Sequence, residues 1–170
     1  NNEYGTVHTE ADCKQFDMHL ALSLPESIYS HLDTPGMFEV GLPIDNSLEV
    51  LELLWARYNC YILTAASYSN TAVQQKWRWV QKHIPYIPKE RIIVAKDKAM
   101  VVGDWLIDDA PHNATEFTQR NEYASYLGMR YRESRKCLLF DKPWNRHMVL
   151  KPFDPIIRVN SWNEIRAQLL

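Results

Sequence analysis

From Asn46 onward the apolar residues recur with two alternating periods. Leu48, Leu51, Leu54, Trp55 and Tyr58 keep helical spacing on one face, and Cys60-Tyr61-Ile62-Leu63 is then a short apolar run ending in Thr64-Ala65-Ala66-Ser67. A second helical pattern puts Val73, Trp77, Val80 and Ile84 inward, with Lys76, Arg78 and Lys82 mostly outward. Short apolar runs follow at Arg91–Ala95, at Trp105–Ile107, at Cys137–Phe140 and, as a short edge strand, at Ile156–Val159. Ser161-Trp162-Asn163-Glu164 reads as a capping box for a closing helix. Strands separated by helices predict an α/β fold with a doubly wound, Rossmann-like parallel sheet. In such a sheet the strand ends share one edge, and ligands sit just beyond it.

The chain before Asn46 has a different texture. Thr9 to Leu24 is a mixed helical stretch, with Thr9 and Asp12 placed like a capping box. Ser23-Leu24-Pro25-Glu26 starts a second helix through Ile28 and Leu32, and Asp33-Thr34-Pro35-Gly36 ends it as a turn. Residues 6–38 therefore read as a small helical insertion. The domain reading is a partial N-terminal segment and helical cap over 1–38, and a single α/β core over 39–170. Asn1-Asn2-Glu3-Tyr4-Gly5 has no initiator methionine and resembles the tail of a helix with its glycine stop.

Bulk properties narrow the function classes. A chain of 170 residues with 46% hydrophobic and 24% charged residues suits one globular domain with a real core. The net charge of −2 gives no general attraction to nucleic-acid backbones or anionic membranes. No apolar run approaches the roughly 20 residues of a membrane span. The tryptophans, among them Trp77, Trp79 and Trp144, fall at core spacings or strand ends without an interleaved basic stripe, which argues against a polymeric nucleic-acid substrate. Cys13, Cys60 and Cys137 are far apart and lack CxxC spacing, so they read as reduced thiols of a cytoplasmic-type protein. His112 and His147 are isolated and read as surface or packing residues.

Candidate chemistry gathers at the strand ends. Gly103-Asp104-Trp105-Leu106-Ile107-Asp108-Asp109-Ala110-Pro111-His112-Asn113 runs from an apolar strand into two carboxylates and a helix-starting turn. Two aspartates there can hold a hard cation such as Mg²⁺, or they can simply form a solvated turn that caps the next helix. Thr64 offers a hydroxyl and backbone amides to a phosphate oxygen, or a cap to the helix that follows. Lys76 offers a fixed positive charge, with a solvated helix face as the usual fate of lysine and with Lys96 and Lys98 as rivals for the role. Together these residues suit phosphoryl transfer, which needs positioning and charge compensation. One part is absent: a nucleophile at another strand end.

The same residues resemble the haloacid dehalogenase superfamily. Thr64, Lys76 and Gly103-Asp104-x-x-x-Asp108-Asp109 look like its second, third and fourth motifs. Thr34-Pro35-Gly36-Met37-Phe38, Lys76-Trp77-Arg78-Trp79-Val80, Glu90-Arg91-Ile92-Ile93 and Leu139-Phe140-Asp141-Lys142-Pro143-Trp144-Asn145-Arg146 extend the resemblance to the 5′(3′)-deoxyribonucleotidases, in one collinear order over nearly all of 34–170. The resemblance implies a Mg²⁺-dependent phosphomonoesterase acting on nucleoside monophosphates through an aspartyl-phosphate. By that analogy Asp108 ligates the metal and Asp109 orients the metal's waters or ligands. Thr64 and Ala65 bind the phosphoryl group, although the family often has Thr-Ser where this chain has Thr64-Ala65. Lys76 neutralises charge, and the helical insertion is the cap. Phe16, Met37 and Phe38 are candidates for a base pocket, with core packing as the ordinary alternative.

The family's first motif, Asp-x-Asp-Gly-x, has no copy here. Asp12, Asp17 and Asp45 do not end apolar strands. The expectation is a nucleophile strand and helix upstream of Asn1; a chain that began at Asn1 would leave a gap at the centre of its sheet and be inactive and poorly stable. Two alternatives stay open: a catalytically inactive relative that only binds a nucleotide or partner, and a phosphatase of the same fold acting on another small phosphate ester. A homodimer is left open as well.

Overall fold

The computed structural model describes residues 7–65, 71–120 and 135–170. The readings of Asn1–Gly5 and of Ala66-Ser67 lie outside them. The described chain is α/β with every strand pairing parallel, in two sheets ordered β1–β2 and β3–β4–β5. It divides into two compact units, one from the described parts of 27–98 and 161–170, the other from those of 1–26 and 99–160.

In the first unit, β1 (Ile62–Thr64) pairs with β2 (Ile92–Val94) in the register Ile62↔Ile92 and Thr64↔Val94. Helix α3 (Ala72–His83) runs between them in sequence, and α2 (Ser47–Arg57) packs on the C-terminal helix Trp162–Leu169. Val80, Ile84 and Ile87 form the core, with Leu51, Trp55, Ile62 and Ile92 packed against them. Leu54, Val80 and Ile84 are buried where the periodicity puts them, and Leu51 and Trp55 pack against the core; the departures on the inner faces fall in the first turns. On α2 the deepest residue is Val50, fully buried, while Leu48 is exposed; on α3 Ala72 and Gln75 are buried and Val73 is 47% exposed. Ser161 caps the C-terminal helix as expected, its Oγ accepting from the Glu164 N–H at 3.2 Å.

In the second unit, β4 (Lys136–Phe140) lies between β3 (Trp105–Asp108) and β5 (Ile156–Val159). Cys137, Leu138 and Leu139 on β4 are all fully buried, the unbroken apolar run expected of a central parallel strand covered on both faces. Helix α4 (Pro111–Gln119) starts with proline in its first turn and packs on β4 through Ala114 and Phe117. Parallel pairing brings the ends of β3, β4 and β5 to one edge.

The expected helix over 9–24 is broken into pieces. The Asp12 carboxylate accepts from the Thr9 N–H at 2.8 Å and the Thr9 hydroxyl at 2.9 Å, but what it closes is a 3₁₀ turn, Glu10–Asp12. Asp17 then caps a five-residue helix, α1 (Met18–Leu22), by accepting from the His19 and Leu20 N–H groups, and Ser23 ends it in the left-handed region. A 3₁₀ helix, Glu26–Asp33, stands where the second helix was expected, and Gly36 supplies the positive φ (81°) of the turn after it.

Candidate active site

The first unit gathers Thr64, Ala65, Lys76 and Phe38. Thr64 is the last residue of β1, and its carbonyl accepts from the Ala95 N–H at 2.9 Å, so the strand end is fixed by its neighbour. Lys76 leaves the solvated face that its helical spacing suggested. It is half-buried; its ammonium donates to the Ala65 carbonyl and lies 4.6 Å from the centre of the Phe38 ring. Burial pushes its pKa below the ordinary lysine value, and the positive charge of Lys98 adds to the shift. The rival lysine is thus close enough to matter electrostatically.

Gln75, one residue before Lys76 and 3% exposed, stitches the Phe38 turn to α3. Its Oε1 accepts from the Phe38 N–H at 3.0 Å, and its Nε2 donates to the Thr34 carbonyl at 3.2 Å and the Thr71 hydroxyl at 2.8 Å. Phe38, Thr64, Lys76, Trp77, Val80 and Ile92 line a mainly apolar cavity of about 420 Å³. A mainly apolar cavity with Lys76 and Lys89 among its lining residues can take an anionic group attached to a planar or apolar body.

The second unit gathers Asp108, Asp109 and Phe16. Asp108 ends β3 and is 8% exposed. Its Oδ1 accepts from the Ala110 N–H at 2.8 Å and from Asn113 Nδ2 at 3.1 Å, so the carboxylate also serves the start of α4. The turn-capping reading of this aspartate thus has a geometric counterpart. Asp109 follows with its backbone carbonyl accepting from Trp144 Nε1 at 3.1 Å and Asn145 Nδ2 at 2.9 Å. Phe16 meets His112 edge-on with ring centres 4.7 Å apart, and Trp144 at 6.5 Å; it is 47% exposed. His112 is therefore a packing residue at the surface. Asp141, at the end of β4, is held below the usual carboxylate range by the Arg146 hydrogen bond and by the charges of Arg146 and Arg158.

The implied magnesium can be tested against this donor set. Asp108 and Asp109 are hard oxygen donors at one strand end, and Mg²⁺ is usually held by one or two carboxylates while keeping several waters. The pair fits as part of such a site. Among the described residues, no group of three or more His, Cys, Asp or Glu could complete it.

Sequence reasoning missed Gln75, Asn113, Trp144 and Asn145 as supports of the site. Their bonds join residues far apart in the chain or fall within one turn, and neither pattern leaves a period. The available signal was chemical: an amide side chain among core-spaced residues needs partners for all its donors and acceptors.

Comparison with known proteins places these features. Residues 1–170 match the family model described as 5′ nucleotidase, deoxy (pyrimidine), cytosolic type C protein. A 5′(3′)-deoxyribonucleotidase of Bacillus subtilis is 28% identical over 161 residues, covering 95% of this chain and 81% of that protein. One from Bacillus phage SPbeta matches with the same figures. The 5′(3′)-deoxyribonucleotidase, cytosolic type, of Homo sapiens is 28% identical over 150 residues, 86% of this chain and 67% of its own length.

Proposed function

The chain belongs to the 5′ nucleotidase, deoxy (pyrimidine), cytosolic type C protein family, a hydrolase family of haloacid dehalogenase type, and from this we propose that the full-length protein is a Mg²⁺-dependent phosphomonoesterase of (deoxy)nucleoside monophosphates. The observation that carries the reading is the pair Asp108 and Asp109 at the carboxyl end of β3, in a chain that matches the family along its whole length.

The reaction has two steps. In this reading an aspartate carboxylate attacks phosphorus; the bond to the nucleoside oxygen breaks, and that oxygen leaves with a proton from a general acid. Water then attacks the aspartyl-phosphate, releasing inorganic phosphate and restoring the carboxylate. Thr64 and the backbone at Ala65 bind the phosphoryl oxygens. Lys76 opposes the negative charge of nucleophile and phosphate, an effect strengthened where burial excludes water. Asp108 would hold Mg²⁺ and Asp109 would help orient the metal's ligands, and the bound ion would supply further charge compensation to the phosphoryl oxygens. Phe38 and the apolar cavity beside Lys76 suit a base. Among the described residues no helix is long and apolar enough to cross a membrane. The name of the human relative, cytosolic type, supports reading this chain as a cytoplasmic enzyme with a small nucleotide as its partner.

The bonds from Ala110 and Asn113 to Asp108 favour a second reading, in which that carboxylate is only a helix cap. Phosphate release from deoxynucleoside 5′- and 3′-monophosphates, with and without Mg²⁺, separates the two. Release that needs Mg²⁺ and is lost in Asp108→Asn supports the phosphatase. No release from any monophosphate by the full-length protein sinks it, and release only from other small phosphate esters redirects it to another substrate class.

A further inference from the structure

Asn145 is fully buried in the 3₁₀ turn Pro143–Asn145 that follows β4. Its side-chain amide uses all its hydrogen-bonding capacity. Nδ2 donates to the carbonyls of Asp109, at 2.9 Å, and Phe140, at 2.8 Å; Oδ1 accepts from the Lys142 N–H at 3.3 Å and from the Arg158 guanidinium. One side chain thereby ties the ends of β3, β4 and β5 together. Trp144, its neighbour, donates to the same Asp109 carbonyl at 3.1 Å.

The consequence falls on one peptide group. Between Asp109 and Ala110 the carbonyl is held by Trp144 and Asn145, and the N–H is held by the Asp108 carboxylate at 2.8 Å. A peptide is planar, so gripping both ends fixes its orientation. That plane sets the backbone direction from which the Asp109 carboxylate projects and the point at which the Asp108 carboxylate is anchored. We propose that Asn145, with Trp144, is a positioning residue for the metal-holding carboxylates: it acts through the Asp109–Ala110 peptide and touches neither metal nor substrate. The inference rests on the reading of Asp108 and Asp109 as the Mg²⁺ site. Groups that orient metal ligands from behind typically matter by about 10- to 100-fold in metal affinity or activity.

The test is direct Mg²⁺ titration of the full-length protein by calorimetry, with thermal unfolding measured in parallel. Asn145→Asp keeps the shape but replaces the Nδ2 donor with an acceptor, and Trp144→Phe removes the second donor. Arg158→Met cuts the network on its β5 side and leaves both donors to Asp109 in place. The expected result is a Mg²⁺ dissociation constant raised about 10- to 100-fold in N145D and about 3- to 10-fold in W144F, with R158M within about 3-fold of wild type even where its melting temperature falls as far. The nucleotide KM stays near wild type while kcat drops in the first two. Should N145D fail to fold, W144F carries the test. Wild-type Mg²⁺ affinity in folded N145D or W144F overturns the positioning role alone. A wild-type protein that binds no Mg²⁺ overturns the metal reading and this inference with it.

Discussion

At the end of β3 a single peptide is held from both sides by side chains of two turns, whereas at the end of β1 the Lys76 ammonium is held by the Ala65 carbonyl and the face of Phe38. The Asp108 carboxylate and the peptide after Asp109 sit in a network of short, directional bonds. The cation sits against apolar walls that disfavour its charge, with Lys98 adding repulsion. A network of bonds fixes direction, which a metal ligand needs. Partial burial raises the strength of a charge, which a phosphate-binding lysine needs. The first arrangement ties function to stability; the second sets them against each other.

Removing one partner from each region should expose that difference. Asp108→Asn should lower kcat/KM by at least about 100-fold and also reduce stability, because the anionic acceptor of the Ala110 N–H and Asn113 is lost; steady-state assays with urea unfolding measure both. A D108N protein with wild-type turnover would remove this carboxylate from the chemistry. Lys76→Met should lower kcat/KM by about 10- to 100-fold while leaving the unfolding midpoint unchanged or higher, since a half-buried charge is replaced by an apolar chain of similar length. A K76M protein that loses stability in step with activity would erase the contrast.

The depressed pKa of Lys76 adds a pH dependence with a definite sign. Its folded value lies below its unfolded value, so the unfolded chain binds more protons between the two and stability rises with pH there. Below the folded value the destabilisation is fully present; above the unfolded value it is gone. Urea unfolding of wild type against K76M across alkaline pH should show the difference shrinking as pH rises. In the same range kcat/KM of wild type should decline earlier than an ordinary lysine would dictate, and Lys76→Arg should move that decline to higher pH. The smallest effect belongs to a residue outside both regions. Ser161→Ala should cost about 1 kcal/mol of stability through the lost cap, with kcat/KM unchanged.

Much of this was legible from residue order, and the reasons differ by element. Ile156–Val159 forms the strand over the bounds its apolar run marks, and Ser161 caps the helix that its Ser-x-x-Glu pattern announces. Both signals are local. The Asp-Asp turn was legible because an apolar run stops abruptly at two charges. On α2 and α3 the expected Leu54, Val80 and Ile84 are buried, while Leu48 and Val73 are exposed and Val50 and Ala72 are buried in their place, because periodicity gives the width of an apolar stripe and the neighbouring elements choose where it ends. Lys76 shows the same limit: sequence supplies its charge, while the Phe38 turn, held by Gln75, makes its surroundings apolar. The stretch from 9 to 24 had helical composition, but Asp17 competes for backbone N–H groups and restarts the helix, leaving five residues of it. Asn145 left no trace in any period, since its partners are Phe140 on β4, Arg158 on β5 and Asp109 just after β3.

The doubly gripped peptide also makes the Ala110 amide proton a reporter. With its N–H bound to a carboxylate beside a buried alanine, that proton exchanges with solvent deuterium only when the turn opens. Its exchange rate therefore counts the openings of the aspartate end of the sheet, with no substrate, metal or turnover required to see them.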